Sequence, residues 1–174
     1  MNKILERFPG AEVKPKTVKR EVEGVLRDVE KRDILGADLF YCREEGWTCW
    51  SMEGAIERML KVCKFSSGGR GRVTTPCQPH VDLTEGEPRP DYPIRQVVGS
   101  LLYIATVGRP DALFAATKLA RHAANCTASV VTAAKHLLRY LDNTKPEGLV
   151  YSPARHARFN EKYKDLFTAV NRDI

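Results

Sequence analysis

The sequence has no run of about 20 apolar residues, which is the length that a membrane-spanning helix requires. Its first residues also lack the unbroken apolar core of a secretory signal, because Glu6 and Arg7 interrupt it. These two absences predict an intracellular protein, either cytoplasmic or nuclear, with no membrane partner.

Cysteine motifs are missing as well. The chain has five cysteines, an odd number, and no two of them form a Cys-x-x-Cys pair. Widely spaced cysteines of this kind are typical of reduced thiols rather than of a disulfide framework. The four histidines are equally scattered, so the sequence predicts no metal site.

Two common catalytic signatures are also absent. The glycine-rich stretch 68–71 lacks the Gly-Lys-Ser/Thr ending and the following helix of a phosphate-binding loop, which favours a linker. There is no Gly-x-Ser-x-Gly elbow, and Ser100 lies inside a predicted helix. The sequence therefore indicates neither a P-loop nucleotidase nor a serine hydrolase.

Positive charge is present in excess and is unevenly spread. The 174 residues carry a formal net charge of +6. Residues 1–89 contain 16 basic and 15 acidic side chains, whereas residues 90–174 contain 12 and 7. Excess positive charge attracts phosphate backbones, so the second half of the chain is the better candidate for binding nucleic acid.

The first third of the chain predicts a small unit of a β-hairpin and a helix. Residues 34–42 and 47–50 have strand-like patterns around a polar turn. Ser51 is placed to cap a helix whose apolar residues recur on one face and which ends near Phe65. Residues 1–8 predict a short helix, whereas residues 11–33 leave strand, loop and weak helix open. The tryptophans Trp47 and Trp50 are expected in a local core rather than stacked on bases.

The rest of the chain predicts a connector and then helices. Serine, glycine and proline dominate residues 66–91, which favours a flexible joint followed by extended chain. Helices are predicted over 93–107, from Pro110 and after Thr127, followed by a short strand at 148–152. We expect Leu113 on the inner face of the second helix. The tail at 153–174 predicts a last amphipathic helix with Phe159 and Tyr163 on its apolar face.

These elements predict an α+β fold with four segments. They are a hairpin and helix unit at 1–65, a connector at 66–91, a three-helix subdomain with a short strand at 92–152, and a helical tail at 153–174.

The order of several short motifs resembles copia-type LTR retrotransposon polyproteins, in the segment that follows the reverse transcriptase palm. The similar stretches are Ile34-Leu35-Gly36, Val73-Thr74-Thr75-Pro76, Val98-Gly99-Ser100-Leu101-Leu102-Tyr103, Arg109-Pro110-Asp111, Leu138-Arg139-Tyr140-Leu141 and Gly148-Leu149-Val150-Tyr151. The resemblance covers about residues 30–152.

That resemblance implies the end of the palm, the thumb and the start of the connection towards RNase H. A thumb grips the backbone of template and primer, for which exposed lysine and arginine side chains are suited. The candidate nucleic-acid-binding residues are Arg95, Arg109, Lys118, Arg121, Lys135 and Arg139. For each of them, a solvated face with local ion pairs is the alternative.

The stretch that resembles the family does not include the catalytic centre of the polymerase. Polymerisation needs carboxylates that hold two Mg²⁺ ions, and the sequence contains no Asp-Asp pair. We expect Mg²⁺ only in the intact parent enzyme and no catalytic residue or cofactor in this chain. The hypothesis is a non-catalytic reverse transcriptase fragment that binds nucleic acid. The alternatives are a protein-interaction module that associates through exposed helical faces, and a translated remnant without function.

Overall fold

The computed structural model of the protein describes residues 15–66 and 71–164. A five-stranded antiparallel sheet in the order β1-β2-β3-β4-β5 packs with helices, and the predicted α+β class is confirmed. The strands are β1 Lys16–Val22, β2 Val25–Ile34, β3 Ala37–Cys42, β4 Trp47–Ser51 and β5 Leu149–Tyr151. The helices are α1 Glu53–Val62, α2 Ile94–Val107, α3 Leu113–Arg121, α4 Ala128–Asn143 and α5 Pro153–Lys162. The helix predicted at 1–8 lies outside the described residues.

The segment left open at the sequence level forms the hairpin β1–β2. Val18 of β1 pairs with Val29 of β2, and Val22 and Val29 are buried. The turn consists of Glu23 and Gly24, which both have positive φ, as a two-residue hairpin turn requires. A glutamate is unusual at that position, and for this reason the turn was not recognisable in the sequence.

A second turn of the same kind joins β2 to β3. Leu35 and Gly36 have φ values of 55° and 83°, and Ile34 ends β2 instead of beginning the next strand. The predicted hairpin is confirmed as β3–β4, in which Phe40 pairs with Cys49. Side chains of two helices hold this turn in place. The carbonyl oxygen of Gly36 accepts a 3.0 Å hydrogen bond from Arg58 of α1, and the carbonyl oxygen of Leu35 accepts one from Tyr103 of α2.

The sheet has apolar residues on both faces. One face carries a small cluster that includes Phe40, Trp47 and Cys49. The other faces the helices, where Ala37, at the start of β3, belongs to the main core. Trp50 packs against that core, so the expectation of a core role for both tryptophans is confirmed.

Helix α1 begins after Met52, and the Ser51 side chain accepts a 3.3 Å hydrogen bond from the Glu53 amide. It ends at Val62, three residues before the predicted end.

Helix α2 matches its predicted range and buries a continuous stripe, which consists of Ile94, Val97, Val98, Leu101, Ile104 and Ala105. No helix among the described residues is long and apolar enough to cross a membrane.

The helix predicted from Pro110 begins instead as a 3₁₀ turn, Pro110–Ala112, before α3 starts at Leu113. The buried residues from Ala112 onwards keep the i, i+3, i+4, i+7 spacing of a helix, and Leu113 lies beside that face. Ala112, Ala116 and Leu119 are buried, whereas Leu113 is exposed, so its expected inward position is wrong. Helix α4 behaves as predicted, because Thr127 caps it by accepting a 3.3 Å bond from the Val130 amide.

The predicted strand near 148–152 is confirmed as β5, which pairs with β4. One hydrophobic core also joins residues from Ala37 to Leu141. The predicted hairpin unit and helical subdomain therefore share one sheet and one core. A Cβ atom at Gly148 would lie 2.6 Å from Trp50 O, which explains a glycine at this junction.

We predict that Leu35→Asn stabilises the protein by about 1 kcal/mol, because asparagine tolerates positive φ far better than leucine. Thermal unfolding measures this change. Leu26→Asn is the control, since Leu26 is also exposed but lies in β2. An equal gain in both variants would contradict the turn explanation.

We also predict that Gly148→Ala destabilises the protein by about 2 kcal/mol or more, because the new methyl group would collide with backbone. Gly99→Ala is the matched control, since a Cβ at Gly99 in α2 meets nothing within 4 Å. There alanine should stabilise by up to about 1 kcal/mol through its higher helix propensity. Equal effects in urea unfolding would contradict the steric argument.

Candidate nucleic-acid interface

The predicted binding residue Arg109 is buried. Its side chain is only 3% exposed, and its guanidinium bridges two parts of the fold. Nε and Nη2 donate to the Asp111 carboxylate at 3.0 and 2.7 Å. Nη1 donates to Thr144 O at 3.0 Å and Nη2 to Thr144 Oγ1 at 2.6 Å. These bonds hold Arg109 inside the fold, away from any ligand at the surface.

Helix α4 closes the same network through Tyr140. Its hydroxyl donates to Asp111 Oδ2 at 2.6 Å, and Thr144 Oγ1 donates to Tyr140 O at 2.8 Å. Burial favours a raised pKa for Asp111, but the hydrogen bonds from Arg109 and Tyr140 outweigh it, so the pKa of this carboxyl lies below its ordinary value. Burial and the bond to Asp111 raise the pKa of Tyr140. The carboxylate is therefore ionised and matched to its arginine.

The tripeptide Arg-Pro-Asp occurs a second time, at residues 89–91. Arg89 donates to both oxygens of Asp91 at 2.9 and 2.8 Å, the same local pairing as in the buried copy. Here, however, the side chains are 45% and 64% exposed. The sequence motif alone thus produces the local ion pair, while burial depends on the neighbouring helix.

Lys118, another candidate, forms a hydrogen bond to the connector at residues 66–91. Its ammonium donates to Val81 O at 2.9 Å, and Thr127 Oγ1 donates to Leu83 O at 3.0 Å. On α4, His136 Nε2 lies 2.9 Å from Thr75 O, and Asn143 Oδ1 accepts from the Val73 amide at 2.9 Å. The described part of the connector is therefore attached to α3 and α4 by hydrogen bonds.

Arg139 is half-buried on α4. Its Nε atom is buried and has no hydrogen-bond partner among the described residues. The position predicted to face outward therefore lies partly within the fold. Only part of its guanidinium is available to a ligand.

Three candidates remain at the surface, namely Arg95, Arg121 and Lys135. Arg95, in the first turn of α2, lines a cleft with Arg89, Tyr92 and Asn125. Arg121 ends α3 just before the loop that forms the other wall of this cleft. Lys135 is exposed on α4. Of these side chains, Arg95 and the unpredicted Arg89 line the cleft, whereas Arg121 does not.

Carboxylates, histidines and cysteines do not gather into a metal site in the described ranges. No three of them lie together in a group that could hold an ion within residues 15–66 and 71–164. Asp91, next to the cleft, is paired with Arg89.

No family model matches the chain, and neither the curated proteins nor the solved structures contain a match to it.

We predict that Asp111→Asn destabilises the protein by about 2–4 kcal/mol at neutral pH, because it leaves a buried guanidinium without its counter-charge. Asp91→Asn is the matched control. It removes the carboxylate from the same tripeptide at the surface, where ion pairs contribute little. Urea unfolding of both variants measures the difference, and similar losses would show that burial of Arg109 is unimportant.

The contribution of Asp111 to the stability of the protein should decrease as the pH falls. A carboxyl whose pKa is lowered by folding stabilises the protein above its unfolded pKa, near 4, and loses that contribution as pH falls through the folded value. The stabilities of the parent and Asp111→Asn should therefore converge in acid. A difference that stays constant from neutral pH into acid would contradict the proposed ionised pair.

Proposed function

We propose that the chain is the thumb and connection part of a copia-type reverse transcriptase and that its residual function is binding the backbone of nucleic acid. One observation carries this proposal: four of the six motifs that resemble the family contact one another in two pairs. Leu35 in the first motif accepts a hydrogen bond from Tyr103 in the third. Asp111 accepts one from Tyr140, which joins the fourth motif to the fifth.

The second and sixth motifs contact residues that lie outside the motifs. Val73 and Thr75 contact Asn143 and His136 on α4. Gly148 permits β5 to lie against Trp50. The two contacts that join one motif to another support a resemblance that extends to the folded unit.

The proposed interface consists of Arg95 and Arg89 in the cleft, Arg121 at the end of α3 and Lys135 on α4. These side chains are exposed, and cations suit a phosphate backbone better than the edges of bases. Arg89 is already paired with Asp91, so the other three carry the proposed interface. Arg109 and Lys118 are excluded from the proposed interface, because the fold uses their charged groups. Arg139 is left out because its Nε atom is buried.

The proposed function is not catalytic. Phosphoryl transfer by a polymerase requires carboxylates that position two metal ions, and the sequence has no Asp-Asp pair. We therefore expect no primer extension by the purified chain with Mg²⁺ or Mn²⁺. Extension that persists after removal of contaminating polymerases would overturn this part of the proposal.

Binding of a labelled RNA:DNA hybrid, followed by fluorescence anisotropy across a salt series, tests the interface. The combined variant Arg95→Gln, Arg121→Gln and Lys135→Gln should weaken binding about tenfold or more and reduce the salt slope by roughly 2 to 3. The control is Lys61→Gln, Lys64→Gln and Arg72→Gln, which removes the same charge from exposed positions elsewhere. Equal losses would indicate general attraction, and no binding by the parent would overturn the proposed function.

A protein-interaction module is the second candidate function, and one groove favours it. Residues of α1 and α2, including Met59, Val62 and Tyr103, line a groove with Gly99 at its edge. Val62 and Tyr103 are 61% and 40% exposed, and Leu35 beside them is 87% exposed. Self-association that does not weaken with salt and is abolished by Val62→Lys would favour this function.

A further inference from the structure

The cleft that contains Arg95 is larger than a contact with one phosphate group requires. Its volume is about 710 Å³, which lies within the range of about 300–1,000 Å³ that is typical of small-molecule sites in proteins. Residues 88–96 form one wall and residues 123–127 form the other, and all of them lie within the described ranges. The cleft therefore has room for a ligand of the size of a nucleotide.

Backbone hydrogen bonds hold the two walls together. The Arg89 amide donates to the carbonyl oxygen of Cys126 at 2.8 Å, and the Ala128 amide donates to the carbonyl oxygen of Glu87 at 2.9 Å. The second wall ends at Thr127, which is fixed as the cap of α4. The cleft is thus formed by the fold itself, as ligand sites in proteins usually are.

Much of the lining is apolar. Pro90, Pro93, Ala123 and Ala124 line the cleft together with Tyr92, whose half-buried side chain packs against the main core. A strongly hydrated phosphate gains little from such a lining. A nucleobase has an aromatic face, which stacks on aromatic side chains and packs against apolar ones. The lining therefore suits a base better than a phosphate.

Polar groups that could orient a base are present on both walls. Gln96 and Asn125 line the cleft and are exposed, and within the described ranges neither side-chain amide forms a hydrogen bond. An amide both donates and accepts hydrogen bonds, as the edge of a base does. Arg95, beside Gln96, provides the positive charge for a phosphate. The neighbouring carboxylate, Asp91, is offset by its ion pair with Arg89.

We propose that this cleft binds one unpaired nucleotide of the nucleic acid that the protein holds. The base lies against Tyr92, and its edge meets the amides of Gln96 and Asn125. The phosphate of the same nucleotide contacts Arg95. This inference rests on the proposed function, because it names the part of the nucleic acid that enters the cleft.

Two RNA:DNA hybrids test the inference by fluorescence anisotropy. One carries a short single-stranded extension, and the other carries an abasic extension of the same length, which has the same phosphates and no bases. The protein should bind the first about tenfold more tightly. Equal affinities for the two hybrids would overturn the inference.

The amides are tested by the combined variant Gln96→Ala and Asn125→Ala. It should lose the preference for bases, bind the abasic hybrid as the parent does and keep the parent's salt slope, because neither amide carries a charge. The matched control is Gln78→Ala with Asn160→Ala, which removes two exposed amides outside the cleft. A preference that survives in the cleft variant, or is lost equally in the control, would overturn the assignment of these residues.

The aromatic ring has its own test. Tyr92→Phe should keep the preference for bases, whereas Tyr92→Leu should lose most of it, because stacking requires a ring. The preference is a ratio of two affinities of the same variant, so a loss of stability does not imitate the effect. Equal losses in both variants would overturn the stacking role of Tyr92.

The outcomes separate this inference from the proposed function. Binding of both hybrids without a preference for bases would overturn the inference and leave the proposed function standing. If the parent binds neither hybrid, the proposed function fails, and adenosine monophosphate then tests the cleft by NMR. Shifts of the side-chain amide signals of Gln96 and Asn125 would support a nucleotide site. No shifts, or equal shifts with a short glutamate peptide, would overturn it.

Discussion

The buried guanidinium of Arg109 is the constraint on which much of the helical arrangement depends. Desolvating an arginine is costly unless a counter-charge and hydrogen bonds compensate for the lost water. Asp111, Tyr140 and Thr144 supply them from two directions. Because these groups lie on the α2–α3 junction and on the last turns of α4, satisfying one arginine fixes how α4 crosses the preceding helices. A buried charge of this kind permits few alternative arrangements of its neighbours.

That constraint also decides which charges are available for binding. Lys118 and Arg109 have the residue type that a phosphate contact requires, yet their donors are directed at Val81 O and at Thr144. The cations left at the surface, such as Arg95 and Arg121, lie where helices begin or end. The positive charge of the second half of the chain is therefore divided between holding the fold and facing solvent. Only the second group supports the proposed nucleic-acid interface.

The sequence was informative where local chemistry decides structure. The cap at Thr127, the apolar stripe of α2 and the β3–β4 hairpin follow from spacing and side-chain chemistry, and all three are present. It was less informative at the β1–β2 hairpin, because Glu23 occupies a turn position that favours asparagine or glycine. It failed for Leu113, because the buried face consists of Ala112, Ala115, Ala116 and Leu119, and small alanines do not distinguish that face from the one beside it.

The amino-acid sequence by itself determined the α+β class, the order of most elements and the excess of positive charge after residue 90, since these depend on composition and short-range pattern. Only the tertiary structure decided which charges are buried. Arg89-Pro90-Asp91 and Arg109-Pro110-Asp111 have the same sequence and form the same local ion pair, yet one is exposed and the other enclosed. The difference comes from Tyr140 and Thr144, which lie about thirty residues further along the chain and meet the second copy only when α4 packs against it.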